Sequence, residues 1–416
     1  MISVLEAAAQ ILNLTSPPQG AAAVESISLA AAHRRILAEP VSSCLDFPHW
    51  DNSAMDGYAV RYDDVYQASA ETPAQLAIIE DIPAGTAPTQ SVQPGQAARI
   101  LTGSMLPSGA DTVVMQENTR RDGRQVTVLA APSPGQFVRH KASYYQAGTP
   151  LLPAGTLLKG PEIAVLAAAH CPSLPVYRKP RVAILSTGDE LVTPDSPLQP
   201  GQIVDSNQYA LAALVDQAGA IPVPLGIIPD HPQALAEGIQ TALQKADLIL
   251  SSGGVSVGDY DYVDSVLTDL GATLHIRSVA IKPGKPLTVA TFPPSTGSSS
   301  QRPVLYFGLP GNPVSALVSF WRFVAPALDK CSGLPEPWSP TFVAAETQTP
   351  LKAGGKRETY LWGHLTLADQ GNLFRLAGGG HSSGNLINLA GTNALAVIPV
   401  GTQSIETGEQ VRVMVV

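Results

Sequence analysis

The run RVAILSTGDEL, residues 181 to 191, joins a short apolar strand pattern to a turn that carries Thr187 and Gly188. A segment with helical spacing, SNQYALAALVDQAG (206 to 219), comes after it, and IPVPLGII (221 to 228) is strand-like again. Strands that alternate with helices in this way predict βαβ units and a mostly parallel sheet. Ligands of such sheets bind outside the carboxyl ends of the strands, where this turn falls.

The alternation continues to about residue 332. Asp230 is placed to cap the next helix, and Pro232 falls in its first turn. Further helices are predicted at 261 to 271 and 311 to 328, and further strands at 246 to 251, 273 to 281, 286 to 292 and 303 to 308.

The flanking regions are richer in strand patterns. Short apolar runs separated by Pro and Gly extend from about Val41 to Arg139, and short β runs return from about Thr341. Helices are predicted near the N-terminus and near residue 160, and we expect these two to pair. The expected fold class is α/β plus β, with a central doubly wound, mostly parallel α/β domain. The expected domains are a connecting domain (1–44 with 140–178), a β-rich domain (45–139), the α/β domain (179–332) and a C-terminal β-barrel-like domain (333–416).

Composition excludes several classes of protein. The chain has 44% apolar and 14% charged residues, which predicts a globular protein with sizeable cores. A net charge of -9 gives no reason to expect nucleic acid as a partner. The three cysteines are far apart and form no CxxC pattern, which fits a reducing cytoplasm without disulfides or zinc. Neither a signal peptide nor an apolar stretch of membrane-spanning length is expected.

The segment SSGGVSVGDYD (251 to 261) is a candidate phosphate site. Gly253 and Gly254 permit positive φ and a close approach of backbone N–H groups, and the following helix would offer its N-terminal end to a phosphate. Asp259 and Asp261 at the same turn suggest a shared Mg²⁺. The alternative is that Asp259 caps a helix and that the glycines only shape a turn.

Further acids follow neighbouring strands. Asp189 and Glu190 come directly after the turn at Gly188, and Asp205 precedes the next helix. Taken singly, Asp205 and Ser206 could form an N-cap, and Glu190 could be a solvated loop acid. Several acids at the strand ends of one domain favour a metal site.

Two proline-stiffened loops could bind an oxyanion. IKPGKP (281 to 286) holds Lys282 and Lys285 close enough to face one anion, although surface lysines are normally solvated. GLPGNPVS (308 to 315) opens a helix with Asn312 and Ser315 available as donors. Two earlier turns, at Asp56 with Gly57 and at Thr102 with Gly103, are ambiguous when taken alone.

Together with DNSAMDGYAV (51 to 60) and RILTGSMLPSGADTVVMQE (99 to 117), these motifs resemble in order and spacing the MoeA-type molybdopterin molybdenumtransferase family. That family includes the E-domain of gephyrin and its plant counterpart, and the resemblance spans nearly the whole chain. It implies an enzyme of molybdenum cofactor biosynthesis that binds adenylylated molybdopterin with Mg²⁺. Such an enzyme inserts molybdenum from molybdate, hydrolyses the pyrophosphate bond and releases AMP.

The resemblance also implies roles for individual residues. Asp205 and Asp261 would hold Mg²⁺ or position the hydrolytic water, with Glu190 nearby as a third catalytic acid. The residues implied to contact molybdate are Lys282, Lys285, Ser315, Arg357 and Ser383. The others implied to bind substrate are Asp56, Thr102, Thr187, Gly188, Gly253, Gly254, Ser256, Pro310, Gly311, Asn312 and Pro313. A homodimer is implied, in which the β-rich module helps to build the partner's cleft, and an adenylyltransferase is a possible docking partner.

Two segments depart from the family pattern. Where the family has Arg-x-x-Gly-Glu-Asp, this chain keeps Arg139 but has Ala142, Ser143 and Tyr144. The segment HSSGN (381 to 385) is also altered, which leaves the role of Ser383 open. An alternative function is therefore a non-catalytic pterin-binding relative or dimeric scaffold. A nucleotide-dependent phosphotransferase is disfavoured, because no GxxxxGK[ST] motif is present. The preference between molybdate and tungstate stays open.

Overall fold

The computed structural model describes residues 1–254, 262–294, 302–369 and 371–416. The chain divides into two compact units. The larger unit comprises Met1–Glu39, Ala154–Lys159 and Leu174–Val416, and the smaller comprises Pro40–Pro153 and Gly160–Ser173. This division is coarser than the four domains expected from the sequence.

The larger unit is built on a six-stranded sheet. Its strands lie in the order Ile221–Ile228, Arg181–Thr187, Leu248–Ser252, Val304–Leu309, Pro286–Phe292 and Thr273–Ser278. Neighbours among the first four strands are parallel, whereas Pro286–Phe292 is antiparallel to both of its neighbours. Every residue of Leu248–Ser252 and Val304–Leu309 is buried, as expected for central strands covered on both faces.

Helices cover both faces of this sheet. Alternate strand residues such as Ile184 and Leu250 face one apolar core, while Leu185 and Ile249 face the other. The helices of the first core are Val4–Leu14, Asn207–Gln217, Pro313–Ser319 and Ala325–Ser332, the last two being joined by the π-helical turn Phe320–Val324. Those of the second core are Pro232–Lys245 and Val263–Asp269. The predicted fold class, α/β plus β with a doubly wound centre, is confirmed.

The N-terminal helix Val4–Leu14 begins with a capping box. The Glu6 amide donates to Ser3 Oγ at 3.1 Å, and the Ser3 amide donates to Glu6 Oε2 at 2.8 Å. Its apolar stripe of Val4, Ala7 and Ile11 is buried in the first core of the α/β sheet. The helix near residue 160 belongs to the smaller unit, so the expected pairing of these two helices stays a prediction.

The C-terminal part of the larger unit is a small barrel. Strand Glu358–Thr366 pairs with Leu373–Leu376 on one side and with Ala394–Ile398 on the other. The strands Phe342–Thr347 and Gln410–Val415 complete the circuit between them. The remaining short pairs of this unit are Ile281–Lys282 with Glu358–Thr366, Leu351–Lys352 with Ser404–Ile405, Leu191–Val192 with Ile203–Val204, and Val24–Ser28 with Ser173–Tyr177.

The smaller unit is β-rich. Its six-stranded sheet has the order Thr112–Met115, Gly57–Val60, Gln96–Ile100, Ala74–Ile82, Gln125–Val128 and Thr119–Asp122. Short pairs join Asn52–Ser53 to Val138–Arg139 and Val41–Ser42 to Pro150–Leu152, and the one α-helix among its described residues is Gly160–Ala168. Among the described residues of both units, short 3-10 turns are formed by Ala21–Ala23, Leu29–Ala31, Tyr62–Asp64, Gln116–Asn118 and Ile387–Leu389. Within the described ranges, no helix combines the length and apolarity needed to cross a bilayer.

We expect the carboxyl group of Asp329, on helix Ala325–Ser332, to make the stability of the fold depend on pH. Burial raises the pKa of its carboxyl from 3.8 to about 6. Because the folded-state pKa is raised, the folded protein loses stability as the pH rises from about 4 through 6. Asp329→Asn removes this loss, so we expect it to raise the free energy of unfolding at pH 8 by up to about 3 kcal/mol.

The measurement is urea denaturation of both proteins at pH 5 and pH 8. The stabilisation by Asp329→Asn should shrink at pH 5, where the wild-type carboxyl is largely protonated in the folded state. The exposed Asp216, on helix Asn207–Gln217, gives the matched control Asp216→Asn. A gain in stability that is the same at both pH values would contradict the buried-carboxyl explanation.

Candidate active site

A cleft of about 1020 Å³ opens in the larger unit, at the carboxyl ends of Arg181–Thr187, Leu248–Ser252 and Val304–Leu309. The turns that follow these strands lie side by side along it, together with the loop that carries the two lysines. The residues of the sequence prediction that line it are Thr187, Gly188, Glu190, Asp205, Gly253, Gly254, Lys282, Lys285, Pro310, Gly311, Asn312, Pro313, Ser315, Arg357 and Ser383.

Gly253 lies where three of these turns meet. Its φ is +94°, and an added Cβ would lie 2.4 Å from the Thr187 carbonyl oxygen. Its amide donates to the Leu309 carbonyl at 3.2 Å. An added Cβ on Gly311 would in turn lie 3.5 Å from the Gly253 Cα. Only glycine fits the conformation and the space at position 253.

The side chain of Asn207 hydrogen-bonds the start of helix Asn207–Gln217 to these turns. Its side-chain amide donates to Ser252 Oγ at 2.6 Å and to the Gly311 carbonyl at 2.8 Å. Asp205, just before this helix, is only 3% exposed. It accepts hydrogen bonds from the Gln208 backbone amide at 3.1 Å and from Gln208 Nε2 at 3.0 Å. Asp205 therefore bonds to the first turn of the helix, whose N-cap residue is Ser206, and the bond to each oxygen leaves lone pairs available to a ligand.

A second group of acids follows the strands Arg181–Thr187 and Ile221–Ile228. Its members are Asp189, Glu190 and Asp230. The Asp230 amide donates to Asp189 Oδ1 at 3.0 Å. Burial, followed by the charges of Asp189 and Glu190, raises the pKa of the Asp230 carboxyl. The sequence prediction that Asp230 caps the next helix is wrong. The cap is His231, whose Nδ1 accepts from the Gln233 amide at 3.2 Å.

The loop with Lys282 and Lys285 is held from two sides. The Val279 amide donates to the Lys285 carbonyl at 3.0 Å, which closes the loop. Gly284, with φ +102°, packs so closely on the helix Pro313–Ser319 that an added Cβ would lie 3.0 Å from Ser319 Oγ. Both lysines are exposed to the cleft.

The barrel supplies the facing wall. The Arg357 guanidinium donates through Nη1 to the Ile281 carbonyl at 3.3 Å, next to Lys282. The segment with Ser383 is docked on the helix start, because the Val314 amide donates to the Ser383 carbonyl at 3.2 Å. Ser315 is 3% exposed and lines the cleft below them.

Several lining residues were not identified from the sequence: Asp230, Lys352, Tyr360 and His381. Lys352 is the exposed residue of the short strand Leu351–Lys352, just before Gly354 and Gly355, and its positive charge is the one signal in the sequence. The His381 ring lies 4.3 Å from that of Trp362, with Nε2 3.0 Å from the Ala377 carbonyl oxygen. Burial lowers the pKa of His381, so the ring is neutral near pH 7.

Other predicted residues lie elsewhere. Ser256, Asp259 and Asp261 fall outside the described residues. Asp56 and Thr102 are in the smaller unit, where Asp56 Oδ1 accepts from the Thr102 amide at 2.7 Å and from its hydroxyl at 2.8 Å. These bonds lower the pKa of Asp56.

The segment that follows Arg139 contains an unusual backbone conformation. Ala142 has φ +62°, a region that glycine adopts without strain and that other residues rarely adopt. Tyr144, in the same segment, is 71% exposed.

Among the described residues there is no cluster of three His, Cys, Asp or Glu side chains that could hold a metal ion. The cleft does offer carboxylates, and Mg²⁺ binds through one or two carboxylates with substrate phosphates and water. The donor set therefore fits Mg²⁺ that arrives with a phosphorylated substrate.

Comparisons with known proteins agree over the whole chain. Three family models match: the MoeA N-terminal region (domain I and II) over residues 2–169, a probable molybdopterin binding domain over 183–330, and the MoeA C-terminal region (domain IV) over 344–416. A molybdopterin molybdenumtransferase of Nostoc sp. is 59% identical, with 100% of this chain and 94% of that protein covered. One of Bacillus subtilis is 34% identical, with 94% and 90% covered. The crystal structure of the molybdopterin biosynthesis moeA protein from Pyrococcus horikoshii matches with a TM-score of 0.84 and 28% identity, with 100% of both chains covered.

Proposed function

The chain belongs to the molybdopterin molybdenumtransferase family, and we propose that the cleft of the larger unit is where it inserts molybdenum into molybdopterin. The substrates are adenylylated molybdopterin and molybdate, and the products are molybdenum cofactor and AMP. The observation that carries this proposal is the meeting of Gly-rich turns, acids and two lysines along one cleft. Its volume of about 1020 Å³ suits a pterin nucleotide with an oxyanion beside it.

The diphosphate would lie against the turns at Thr187, Gly188, Gly253 and Gly254. Backbone N–H groups of such turns bind phosphate oxygens closely, because no side chain intervenes. Pro310, Gly311, Asn312 and Pro313 form the neighbouring edge of the same strand ends. Ser256 would complete the cradle.

Molybdate is a tetrahedral dianion, and the opposite wall suits it. Lys282 and Lys285 offer ammonium donors from a fixed loop, and Arg357 offers a guanidinium from the barrel. Ser315 and Ser383 add hydroxyl donors. Hydrogen bonds from cations to an oxyanion are stronger than those between neutral groups.

Asp205 and Asp261 would hold Mg²⁺, with Glu190 nearby. The ion would neutralise charge on the diphosphate oxygens as the P–O bond breaks. Asp230 lines the same cleft, and its raised pKa suits its carboxylate to accept a proton from the attacking water.

We infer a cytoplasmic homodimer. In it, Asp56 and Thr102 of one copy would contribute to the cleft of the other, as the family resemblance implies. An adenylyltransferase that produces the nucleotide substrate would be the natural docking partner. Sedimentation equilibrium tests the dimer, and a monomer at micromolar concentration would contradict it.

The direct assay supplies adenylylated molybdopterin, molybdate and Mg²⁺ and measures AMP release. Turnover supports the enzyme, and the absence of AMP above background would overturn it. Ser143 and Tyr144 stand where the family resemblance implies two acids. The assay should therefore also measure binding of the nucleotide in the absence of turnover. Tight binding of the nucleotide without turnover would identify a non-catalytic pterin-binding scaffold.

Asp205→Asn tests the acidic edge. Asparagine keeps the shape and can still accept the hydrogen bond from the Gln208 backbone amide, but it loses the charge and the acceptor oxygen for Gln208 Nε2. We expect kcat for AMP release to fall on the order of 100-fold while binding of adenylylated molybdopterin is retained. Asp216→Asn is the control. Weakened binding with unchanged kcat would contradict the assigned role of Asp205.

A further inference from the structure

Arg322 is a buried cation that has no place in the chemistry described above. It lies in the π-helical turn Phe320–Val324 and is 6% exposed. Its guanidinium carbon lies 5.5 Å from the centre of the Phe323 ring and 5.9 Å from that of Phe342. Across the described part of the chain, it forms no ion pair within 4.0 Å. A cation held in this way requires an explanation, because burial of charge is costly.

The hydrogen bonds of Arg322 lead to the barrel. Its Nε donates to the Tyr360 hydroxyl at 3.1 Å, and that hydroxyl donates to Glu358 Oε1 at 2.5 Å. Burial raises the pKa of Tyr360, so the phenol keeps its proton. The two hydrogen bonds therefore form a relay with a fixed direction, in which Arg322 donates to Tyr360 and Tyr360 donates to Glu358.

The relay ends at the first residue of strand Glu358–Thr366, which carries part of the cleft wall. The Glu358 amide donates to the Ala280 carbonyl at 2.9 Å, and Arg357 donates to the Ile281 carbonyl at 3.3 Å. The strand start also pairs in parallel with Ile281 and Lys282. The relay, the strand start and the lysine loop thus form one connected set of bonds.

An apolar side chain of similar size at position 322 would stabilise the aromatic surroundings at least as well as a buried arginine without a direct carboxylate partner. The contribution of Arg322 is then to position, and not to stability. We propose that Arg322 is a positioning residue: through Tyr360 and Glu358 it fixes the start of strand Glu358–Thr366 against the helix that carries Ser315. It thereby sets the separation of Arg357 and Lys282. The catalytic consequence rests on the proposed function, whereas the positional claim does not.

Arg322→Met tests the proposal by two independent measurements. Amide hydrogen exchange in peptides spanning 279–283 and 357–361 should become faster by about tenfold or more, with the melting temperature little changed. In the AMP-release assay, KM for molybdate should rise on the order of 10- to 100-fold, because the facing cations are misplaced. The affinity for adenylylated molybdopterin in the absence of molybdate should stay within about twofold of wild type.

Arg412→Met is the matched control. Its guanidinium also lies over the Phe342 ring, at 3.6 Å, but it is exposed and makes no bond to Tyr360. It should leave both measurements unchanged. Tyr360→Phe should reproduce the effect of Arg322→Met, and the double variant should add little to either single change. Should Arg322→Met fail to fold, Tyr360→Phe carries the test.

Unchanged exchange in folded Arg322→Met or Tyr360→Phe would overturn the proposal, as would an equal effect of Arg412→Met. A uniform loss of nucleotide affinity, kcat and melting temperature would also overturn it, because that pattern indicates a purely structural role. If the wild-type chain releases no AMP, the proposed function fails while hydrogen exchange still decides the positioning role.

Discussion

The double substitution Lys282→Met with Lys285→Met is expected to lower kcat/KM for molybdate by on the order of 1000-fold. Each lysine is exposed to the cleft from a loop that Gly284 and the Val279–Lys285 hydrogen bond hold in place. Methionine keeps the length of the side chain and loses the ammonium group. A charge-assisted hydrogen bond contributes roughly 1.5–3 kcal/mol, or about 10- to 100-fold in affinity for each lysine.

The expected loss is specific to the oxyanion. Binding of adenylylated molybdopterin without molybdate should change by less than about threefold, since its diphosphate is assigned to the Gly-rich turns. The salt dependence of molybdate binding should weaken in the double variant, because two of the cations that face the anion are gone. Lys245→Met, at an exposed helix end, is the control. If nucleotide affinity fell by the same factor as molybdate affinity, the lysines would be diphosphate ligands instead.

The α/β fold could be predicted because its signals are local. Apolar runs such as residues 181 to 186 are bounded by Gly and Pro, and their alternate residues face two separate cores in the structure. The parallel order follows from the helices between the strands. The same locality explains why the turns at Gly188, Gly253 and Gly311 could be placed at one edge. Parallel strands end on the same side of a sheet, whatever their order.

The remaining features depend on interactions between residues that are distant in the sequence. Tyr360 lies in the run TYLWG, which predicts only a buried strand, and its bond to Arg322 spans 38 positions. Within SFWRFVAP, the local signal is Pro326, which has no N–H to donate to the carbonyl four residues earlier. That signal predicts an interrupted helix but not its π-helical form. The choice of His231 over Asp230 as a helix cap shows the limit of local rules as well. Asp230 is a better capping residue in general, but it lies one position too early and faces the other acids.

Gly253→Ala is expected to remove activity almost completely, because a single methyl group there would displace three turns at once. The added Cβ would lie 2.4 Å from the Thr187 carbonyl oxygen and 2.9 Å from Thr187 Oγ1. Neither atom can move freely, since Thr187 ends a buried central strand. Relief would have to come from the Gly253 backbone, which packs closely against Gly311 and whose amide bonds to Leu309. We expect AMP release to fall on the order of 100-fold.

Gly253→Ala would destabilise the fold in two ways, through backbone strain at positive φ and through the contact of the added Cβ with Thr187. A control variant separates the two effects. Gly219→Ala provides the control: Gly219 has φ +82°, and nothing lies within 4 Å of an added Cβ. It should lower the free energy of unfolding by about 1–2 kcal/mol with full activity. Gly253→Ala should lower it by roughly 3–5 kcal/mol, because steric displacement is added to the same backbone strain. Urea denaturation and AMP release measure both quantities. Equal stabilities of the two variants, with activity retained in Gly253→Ala, would show that these turns tolerate displacement and do not form a tightly fitted phosphate site.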